Sequence, residues 1–186
     1  MGAPELESCR RQFEQVRLQA QQLTAGLTED AFNWRPSPDL WSIEECLAHL
    51  IIVGHWEVRV LEHAIQDAKA RGLTATAPFR YPAVDRLIVR LTQPPVRRKF
   101  RAPRRFVPLH GQPVTAVLPT FLHLQSQFLQ QAALADGLDL ARVKVRTPIS
   151  KLLRMSLGMM FAQIAAHEQR HLEQARRVRE KIPAAP

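Results

Sequence analysis

The most constraining feature of the sequence is a narrow apolar stripe near its start. Its apolar residues recur every three or four positions, as Leu6, Cys9, Phe13, Val16, Ala20, Leu23 and Leu27. This spacing matches the turn of an α-helix and places these side chains on one face. Pro4 suits the first turn of such a helix, and Gly26 and Thr28 mark its end. The helix must bury this face against other elements, so the chain needs further packed segments.

A capping box predicts the start of a second helix. Ser42 is a good N-cap, and Glu45 three residues later completes the reciprocal hydrogen bonds of the box. The helix is expected to continue to about Arg71, where Gly72 stops it. Residues 28–40, which precede it, contain two prolines and are predicted to form a loop.

Two further long helices are predicted in the second half of the chain. One covers roughly residues 114–136 and is closed by Gly137, with Pro119 marking either its true start or a kink. The other covers residues 150–181. Between them, the short alternating stretch VKVRTP is judged too small to imply a sheet.

An irregular segment at residues 72–113 separates the second and third long helices. Seven prolines break any long element in it and leave room for a short helix near residues 83–92. It also contains RRKFRAPRR, the run from Arg97 to Arg105. Four long helices with one irregular crossing segment predict an all-α four-helix bundle, folded as a single domain over residues 1–186.

Composition limits the classes of protein that need to be considered. The 186 residues are 46% apolar and 23% charged, which suits a chain with a buried core and excludes a disordered one. No apolar run approaches the length of about 18 residues that a membrane-spanning helix needs. The N-terminus lacks the apolar region of a signal peptide, and the two cysteines share no motif spacing. We therefore expect a cytoplasmic protein without membrane contact.

His167 and His171 are the central candidate functional residues. Four residues advance a helix by about 400°, so the two rings lie one above the other on one face. Both fall within the apolar stripe of the last helix, and we expect them to point into the bundle. Two imidazoles in this arrangement can hold one metal ion. A pair that only packs or is solvated remains the alternative on these residues alone.

His49 is the best candidate for a third ligand. It lies on an apolar stripe of the second helix that also contains Cys46 and Val53. Facing helices in a bundle lie about 8–10 Å apart, so one histidine of this helix can meet two of the last helix. Three imidazoles leave coordination positions open for water or substrate, as in catalytic sites. The alternatives are a hydrogen-bonded core histidine at 49 and, for Cys46, a fourth ligand or a small buried hydrophobe.

The segment HEQRH, residues 167–171, also matches the H-E-x-x-H pattern of zinc proteases, in which Glu168 would be the general base. The extended form of that pattern requires glycine and histidine where this chain has Gln174 and Arg177. Only 15 residues follow His171, which leaves little room for a distant third ligand. Glu168 therefore stays a candidate base, a residue that supports an imidazole, or a surface residue.

Two motifs carry a resemblance to a known family. The first, W-R-P-x-x-x-x-W-S-x-x-E-x-x-x-H-L, appears here as Trp34, Arg35, Pro36, Trp41, Ser42, Glu45, His49 and Leu50. The second is the late segment IAAHEQRHLEQ with its two histidines. Together they resemble the DinB-like superfamily of metalloenzymes, which includes YfiT-like thiol transferases. The resemblance extends from about Glu5 to Arg179.

This resemblance implies a fold, a site and a chemistry. The fold would be an up-down-down-up four-helix bundle whose second and third helices are joined by the long crossing segment. A divalent ion, zinc or nickel, would sit on His49, His167 and His171. Relatives use the ion to activate a low-molecular-weight thiol such as bacillithiol, mycothiol or glutathione. Water in place of the thiol would make the same site a hydrolase, so we expect a metal-dependent transferase or hydrolase acting on a small-molecule substrate.

Two other functions remain open at this point. One is a non-catalytic, stress-related bundle that binds a metal or another ligand. The other is a basic module that contacts nucleic acid through Arg97–Arg105, consistent with a net charge of +9. Nucleic-acid binding is disfavoured, because no recognition fold or aromatic platform is evident. The same cations would also attract an anionic thiol or an acidic substrate, and the stripe of the first helix would suit a homodimer.

Overall fold

The computed structural model describes residues 3–95, 102–147 and 153–183. Its elements, in chain order, are α1 (Pro4–Thr24), α2 (Glu29–Asn33), α3 (Ile43–Ala70), α4 (Ala83–Thr92), a 3-10 turn (Arg104–Phe106), α5 (Val114–Leu134), β1 (Lys144–Arg146), β2 (Arg154–Ser156) and α6 (Leu157–Arg179). The four long helices, α1, α3, α5 and α6, form the predicted all-α bundle. Among the described residues, no helix is both long and apolar enough to cross a membrane.

Contacts between the ends of the helices establish their directions. Helix α1 runs parallel to α6, because Gln169 donates to Gln12 near the middle of α1 and Arg179 donates to Leu23 near its end. It runs antiparallel to α5, because the Phe13 and Phe128 rings stack with centroids 5.2 Å apart while Ala3 reaches the far end of α5.

Helix α3 runs parallel to α5. Gly54 packs against Leu124 in the middle of the two helices, and the segments that follow them meet in a bridge between Thr74 and Leu138. Because α1 and α3 each pack on both α5 and α6, they lie diagonally across the core. The expected up-down-down-up order of the four helices is confirmed.

The capping box and the short helix of the crossing segment form as the sequence predicts. The Ser42 hydroxyl accepts from the Glu45 amide at 3.1 Å, and the Glu45 carboxylate accepts from the Ser42 amide at 3.0 Å, which completes the capping box of α3. The short helix expected near residues 83–92 is α4. Helix α5 begins at Val114, so Pro119 lies inside it rather than at its start.

The apolar stripe of α1 is buried within the bundle. Its six residues from Leu6 to Leu23 are all buried in two core clusters, one at each end of the molecule. The cluster that includes Leu47, Leu50 and Leu172 lies at the end where α3 begins and α6 finishes. The homodimer expected from this stripe stays a prediction, but the stripe itself faces inward.

Three local predictions are wrong. The segment predicted as a loop over 28–40 contains the five-residue helix α2, which is capped by the Thr28 hydroxyl. The alternating stretch judged too small for a sheet supplies β1, which pairs antiparallel with β2. The last helix begins at Leu157 and not at 150, because residues 154–156 are in β2, while residues 148–152 lie outside the described part of the chain.

The close approach of α3 and α5 depends on Gly54. A methyl group at this position would collide with the fully buried side chain of Leu124. Overpacking costs about 1–3 kcal/mol, while alanine gains roughly 1 kcal/mol of helix propensity over glycine. We therefore expect Gly54→Ala to lower the free energy of unfolding by roughly 1 kcal/mol, measured by urea denaturation.

A double-mutant cycle with Leu124→Val tests the cause of this loss. Shortening Leu124 makes room for the added methyl group, so Gly54→Ala should cost less in the Leu124→Val background than in the parent. An equal cost in both backgrounds would contradict the collision as the cause.

Candidate metal centre

Three histidines converge where α3 packs antiparallel against α6. His49 projects from the first third of α3, and His167 and His171 project from successive turns of α6. One ring nitrogen from each of the three lies within 4.8 Å of those from the others. The ring centroids are 4.6 Å apart for His49 and His171 and 4.8 Å apart for His167 and His171. The three residues predicted as ligands therefore form one cluster, and among the described residues this cluster can hold a metal ion.

All three imidazoles are held in their neutral form. Burial lowers the pKa of His49, His167 and His171, because a charged ring loses its hydration there. For His167 the charges of His49 and Arg170 add to this effect, and its pKa falls to about 3. Only the neutral imidazole offers a lone pair to a metal, so the site keeps its ligands in the binding form at neutral pH.

A backbone carbonyl selects the tautomer of His49. The Nδ1 atom of His49 lies 2.8 Å from the carbonyl oxygen of Phe106. A carbonyl oxygen only accepts hydrogen bonds, so Nδ1 carries the hydrogen and Nε2 carries the free lone pair. Orientation of one ring nitrogen by a backbone carbonyl is a common feature of histidine metal ligands.

The donor set fits a divalent transition metal. Imidazole nitrogen suits zinc, nickel, copper and iron, and three such ligands leave coordination positions open. The Nδ1 atom of His171 is buried, and among the described residues it has no hydrogen-bond partner within normal distance. Trp41 covers the site, with its ring 4.9 Å from that of His49 and 5.8 Å from that of His171. His167 is the most exposed of the three ligands.

The described end of the crossing segment, residues 102–112, forms a strap over the start of α3. Besides Phe106, it contributes the amide of Gly111 and the side chain of Gln112, which both donate to Glu44 at 3.4 and 3.2 Å. Burial raises the pKa of Glu44 to about 7 in spite of these hydrogen bonds. The strap thereby fixes the position of the carbonyl that orients His49.

A second carboxylate anchors the same corner. Arg35 donates two hydrogen bonds to Glu45, at 2.7 and 2.5 Å, and His110 of the strap lies 3.5 Å from the same carboxylate. Burial alone would raise the pKa of Glu45, but the bonds from Arg35 and Ser42 outweigh it and lower the pKa. Arg35 and Glu45 of the first sequence motif are thus joined to each other and to the strap that orients His49.

Glu168 lies in the interior of the bundle and not at the surface, so that alternative is wrong. Its side chain accepts a hydrogen bond of 2.6 Å from Gln125 of α5 and is not among the residues that converge with the histidines. Burial, and to a smaller degree the charge of Glu57, raise its pKa well above the usual value. Its bond to Gln125 and its position outside the donor group favour a supporting role for Glu168.

The other candidates are separated from the cluster. Cys46 of α3 is fully buried in the core and is not part of the donor group, as expected of a small buried hydrophobe. Burial raises the pKa of its thiol. In the basic run, residues 97–101 lie outside the described residues, and Arg105 stacks on the Phe106 ring with its guanidinium carbon 4.7 Å from the ring centroid.

Sequence reasoning missed two parts of this region. Glu57 and Gln125 are polar residues at core-facing positions of α3 and α5, and this break in each apolar stripe was a detectable signal. The Phe106 carbonyl had no signal, because any residue supplies a backbone oxygen and only the path of the crossing segment brings this one to His49.

Comparisons with known proteins agree with this geometry. The model of a protein family described as the DinB superfamily matches residues 12–175. The chain is also similar to an uncharacterised Bacillus subtilis (strain 168) protein, YuaE, with 28% identity over 174 residues that cover 93% of this chain and 98% of the relative. No solved structure matches the chain.

The buried carboxyl of Glu57 makes stability depend on pH. Burial raises its pKa from 4.5 to about 8. Between these values the folded protein holds a proton that the unfolded chain has lost, so stability falls as pH rises through this window. Glutamine does not titrate, so the variant Glu57→Gln does not lose this stability. We therefore expect the free energy of unfolding of Glu57→Gln minus that of the parent to be roughly 3 kcal/mol larger at pH 8 than at pH 5.

Urea unfolding at the two pH values measures this difference. Glu62→Gln, at an exposed position of the same helix, is the matched control and should differ from the parent by less than about 0.5 kcal/mol at both. A difference between Glu57→Gln and the parent that does not change with pH would show that Glu57 is ionised in the folded protein.

Proposed function

The chain belongs to the DinB superfamily, and from this membership and the histidine geometry we propose that His49, His167 and His171 hold a divalent metal ion, zinc or nickel, in an enzyme. The reaction we propose is attack by an activated thiol or water on a small-molecule substrate. The new bond forms at an electrophilic carbon of the substrate, the bond from that carbon to its leaving group breaks, and the leaving group takes up a proton equivalent to the one that the thiol or water lost. The product is a thioether or thioester in the first case and a hydrolysed substrate in the second.

The observation that carries this proposal is the convergence of three neutral imidazoles from two helices. Burying three histidines next to one another is costly unless their nitrogens find partners. One metal ion would satisfy all three together, as a common partner for one nitrogen of each ring. The family match and the three-histidine cluster are together compatible with a metal-binding enzyme.

When bound, a divalent ion lowers the pKa of a thiol or of water and so provides a nucleophile at neutral pH. The chain supplies the environment for this chemistry. The Phe106 carbonyl holds the His49 ring in position, and Trp41 excludes water from one side of the cluster. His167, the most exposed ligand, marks the side from which we expect a substrate to enter.

The cellular setting we propose is the cytoplasm, where low-molecular-weight thiols are kept reduced. Both cysteines are free and buried on different helices. A low-molecular-weight thiol is the co-substrate that we favour over water, on the basis of the thiol transferases that the chain resembles.

Metal content tests the site directly. We expect protein purified without a histidine tag to contain close to one zinc or nickel ion per chain by plasma mass spectrometry. His167→Ala should lose most of this metal, because two imidazoles bind much more weakly than three. His63→Ala removes an exposed histidine of α3 far from the cluster and should keep the parent content.

The fold of each variant should be checked by circular dichroism, since His167 lies within α6 and a local change must be separated from unfolding. A folded parent that takes up no metal after incubation with zinc and nickel would overturn the proposed site. Equal metal in the parent and His167→Ala would place the metal elsewhere.

Proton release distinguishes thiol activation from simple metal storage. Adding a low-molecular-weight thiol to the metal-loaded parent at pH 7 should release up to one proton per site, because the thiol loses its proton there. The same addition to His167→Ala should release almost none, and chloride at equal concentration should release none. Full metal loading without proton release from any thiol tested would favour water as the nucleophile or a non-catalytic metal-binding protein.

A further inference from the structure

A second site candidate lies at the opposite end of the bundle from the histidines. A pocket of about 210 Å³ opens between the end of α3 and the β1–β2 hairpin. Its charged lining consists of one carboxylate, Asp67, and four cations, Arg71, Arg142, Lys144 and Arg154. Asp67 follows His49 by 18 residues of the same helix, which corresponds to about 27 Å along its axis. The pocket is therefore separate from the proposed metal site.

Most of the positive charge in this pocket is not neutralised by the protein. Within the described ranges, the guanidinium groups of Arg142 and Arg154 make no hydrogen bond or ion pair. The carboxylate of Asp67 is already engaged, because it pairs with Arg71 at 2.9 Å. The Lys144 ammonium donates to two neutral oxygens, the Ala141 carbonyl at 3.0 Å and the Ser156 hydroxyl at 2.8 Å.

The hairpin adds a further cation at an unfavourable position. Its register places Arg146 directly opposite Arg154, and both side chains are exposed. Like charges directly opposite on paired strands destabilise a hairpin. Lys144, two residues before Arg146, projects from the same face. A bound anion would turn this repulsion into attraction, which gives the arrangement a physical reason.

We propose that this pocket binds a small oxyanion of the phosphate class, either inorganic phosphate or a small phosphate monoester. The forked guanidinium groups match the oxygens of phosphate, and the lysine supplies a point charge. The carboxyl end of α3 contributes only about half a negative charge, which is less than the excess of the four cations over Asp67. Ligand pockets of ordinary size begin near 300 Å³, so the occupant is small.

Calorimetric titration of the full chain with inorganic phosphate and, separately, with glycerol 3-phosphate tests the proposal. We expect saturable binding of at least one of them, with sodium chloride at equal ionic strength producing no saturable heat. Arg154→Gln should weaken the binding by about tenfold, because it removes one charge-assisted contact. Tighter binding of the ester than of phosphate would identify the monoester as the better ligand.

Two further variants separate a built site from general basicity. Asp67→Asn removes the one carboxylate among the described lining residues and should strengthen the binding. Arg11→Gln removes an exposed arginine of α1 outside the pocket and should leave it within twofold of the parent. Equal binding by Arg154→Gln and Arg11→Gln, or heats that follow ionic strength alone, would overturn the proposal.

The outcome does not depend on the histidine cluster. All titrations can be repeated with His167→Ala, which should bind phosphate as the parent does. Phosphate binding that disappears in His167→Ala would assign the anion to the metal site and overturn the separate pocket.

Discussion

The antiparallel packing of α3 on α6 is the contact on which the candidate site depends. It brings a histidine near the start of α3 level with two histidines of α6, so that the ring centroid of His171 lies 4.6 Å from that of His49 and 4.8 Å from that of His167. Helix α3 is also packed on α5, and α6 on α1, while α1 in turn packs on α5, so their relative position is set by the whole core. Small shifts between α3 and α6 are therefore opposed by the packing of all four helices.

The same packing forces several titratable groups into their neutral forms. The three imidazoles have lowered pKa values, while Glu57 and Glu168 have raised ones, and burial is the first cause in every case. For the histidines, neutrality is what a metal ligand requires. For the two carboxyls burial favours the protonated form, and the proposed reaction assigns generation of the nucleophile to the metal ion.

The fold and the three histidines were predictable from the sequence. The residues that hold the histidines in position were predictable only in part. The spacing of His167 and His171 within an apolar stripe indicated one inward-facing pair, and the capping box located the helix that carries His49. The strap was not predictable, because its effect on His49 passes through the Phe106 backbone, which carries no residue-specific signal. The hairpin was missed because two three-residue strands are shorter than any pattern of alternation that could identify them.

The two basic regions, the crossing segment and the pocket beside the hairpin, differ in the charge balance of the sequence around them. Residues 72–113 carry nine basic residues and one acidic residue, so they account for eight of the nine net positive charges. The acidic one, Asp85, is buried and accepts hydrogen bonds from the amide and hydroxyl of Ser156. The rest of the chain carries 17 basic and 16 acidic residues and is nearly balanced in charge.

The basic residues of the hairpin pocket all come from this balanced part of the chain. In a balanced chain, cations normally find carboxylates nearby, as Arg177 finds Glu173 at 2.9 Å on α6. Arg142, Arg146 and Arg154 form no ion pair with a carboxylate among the described residues, although Arg142 and Arg154 line the same pocket as Asp67. These unpaired cations are the basis of the proposed oxyanion site. The crossing segment, in contrast, is basic along its length and supplies the strap at the histidine cluster, where its charge would attract any anionic substrate at long range.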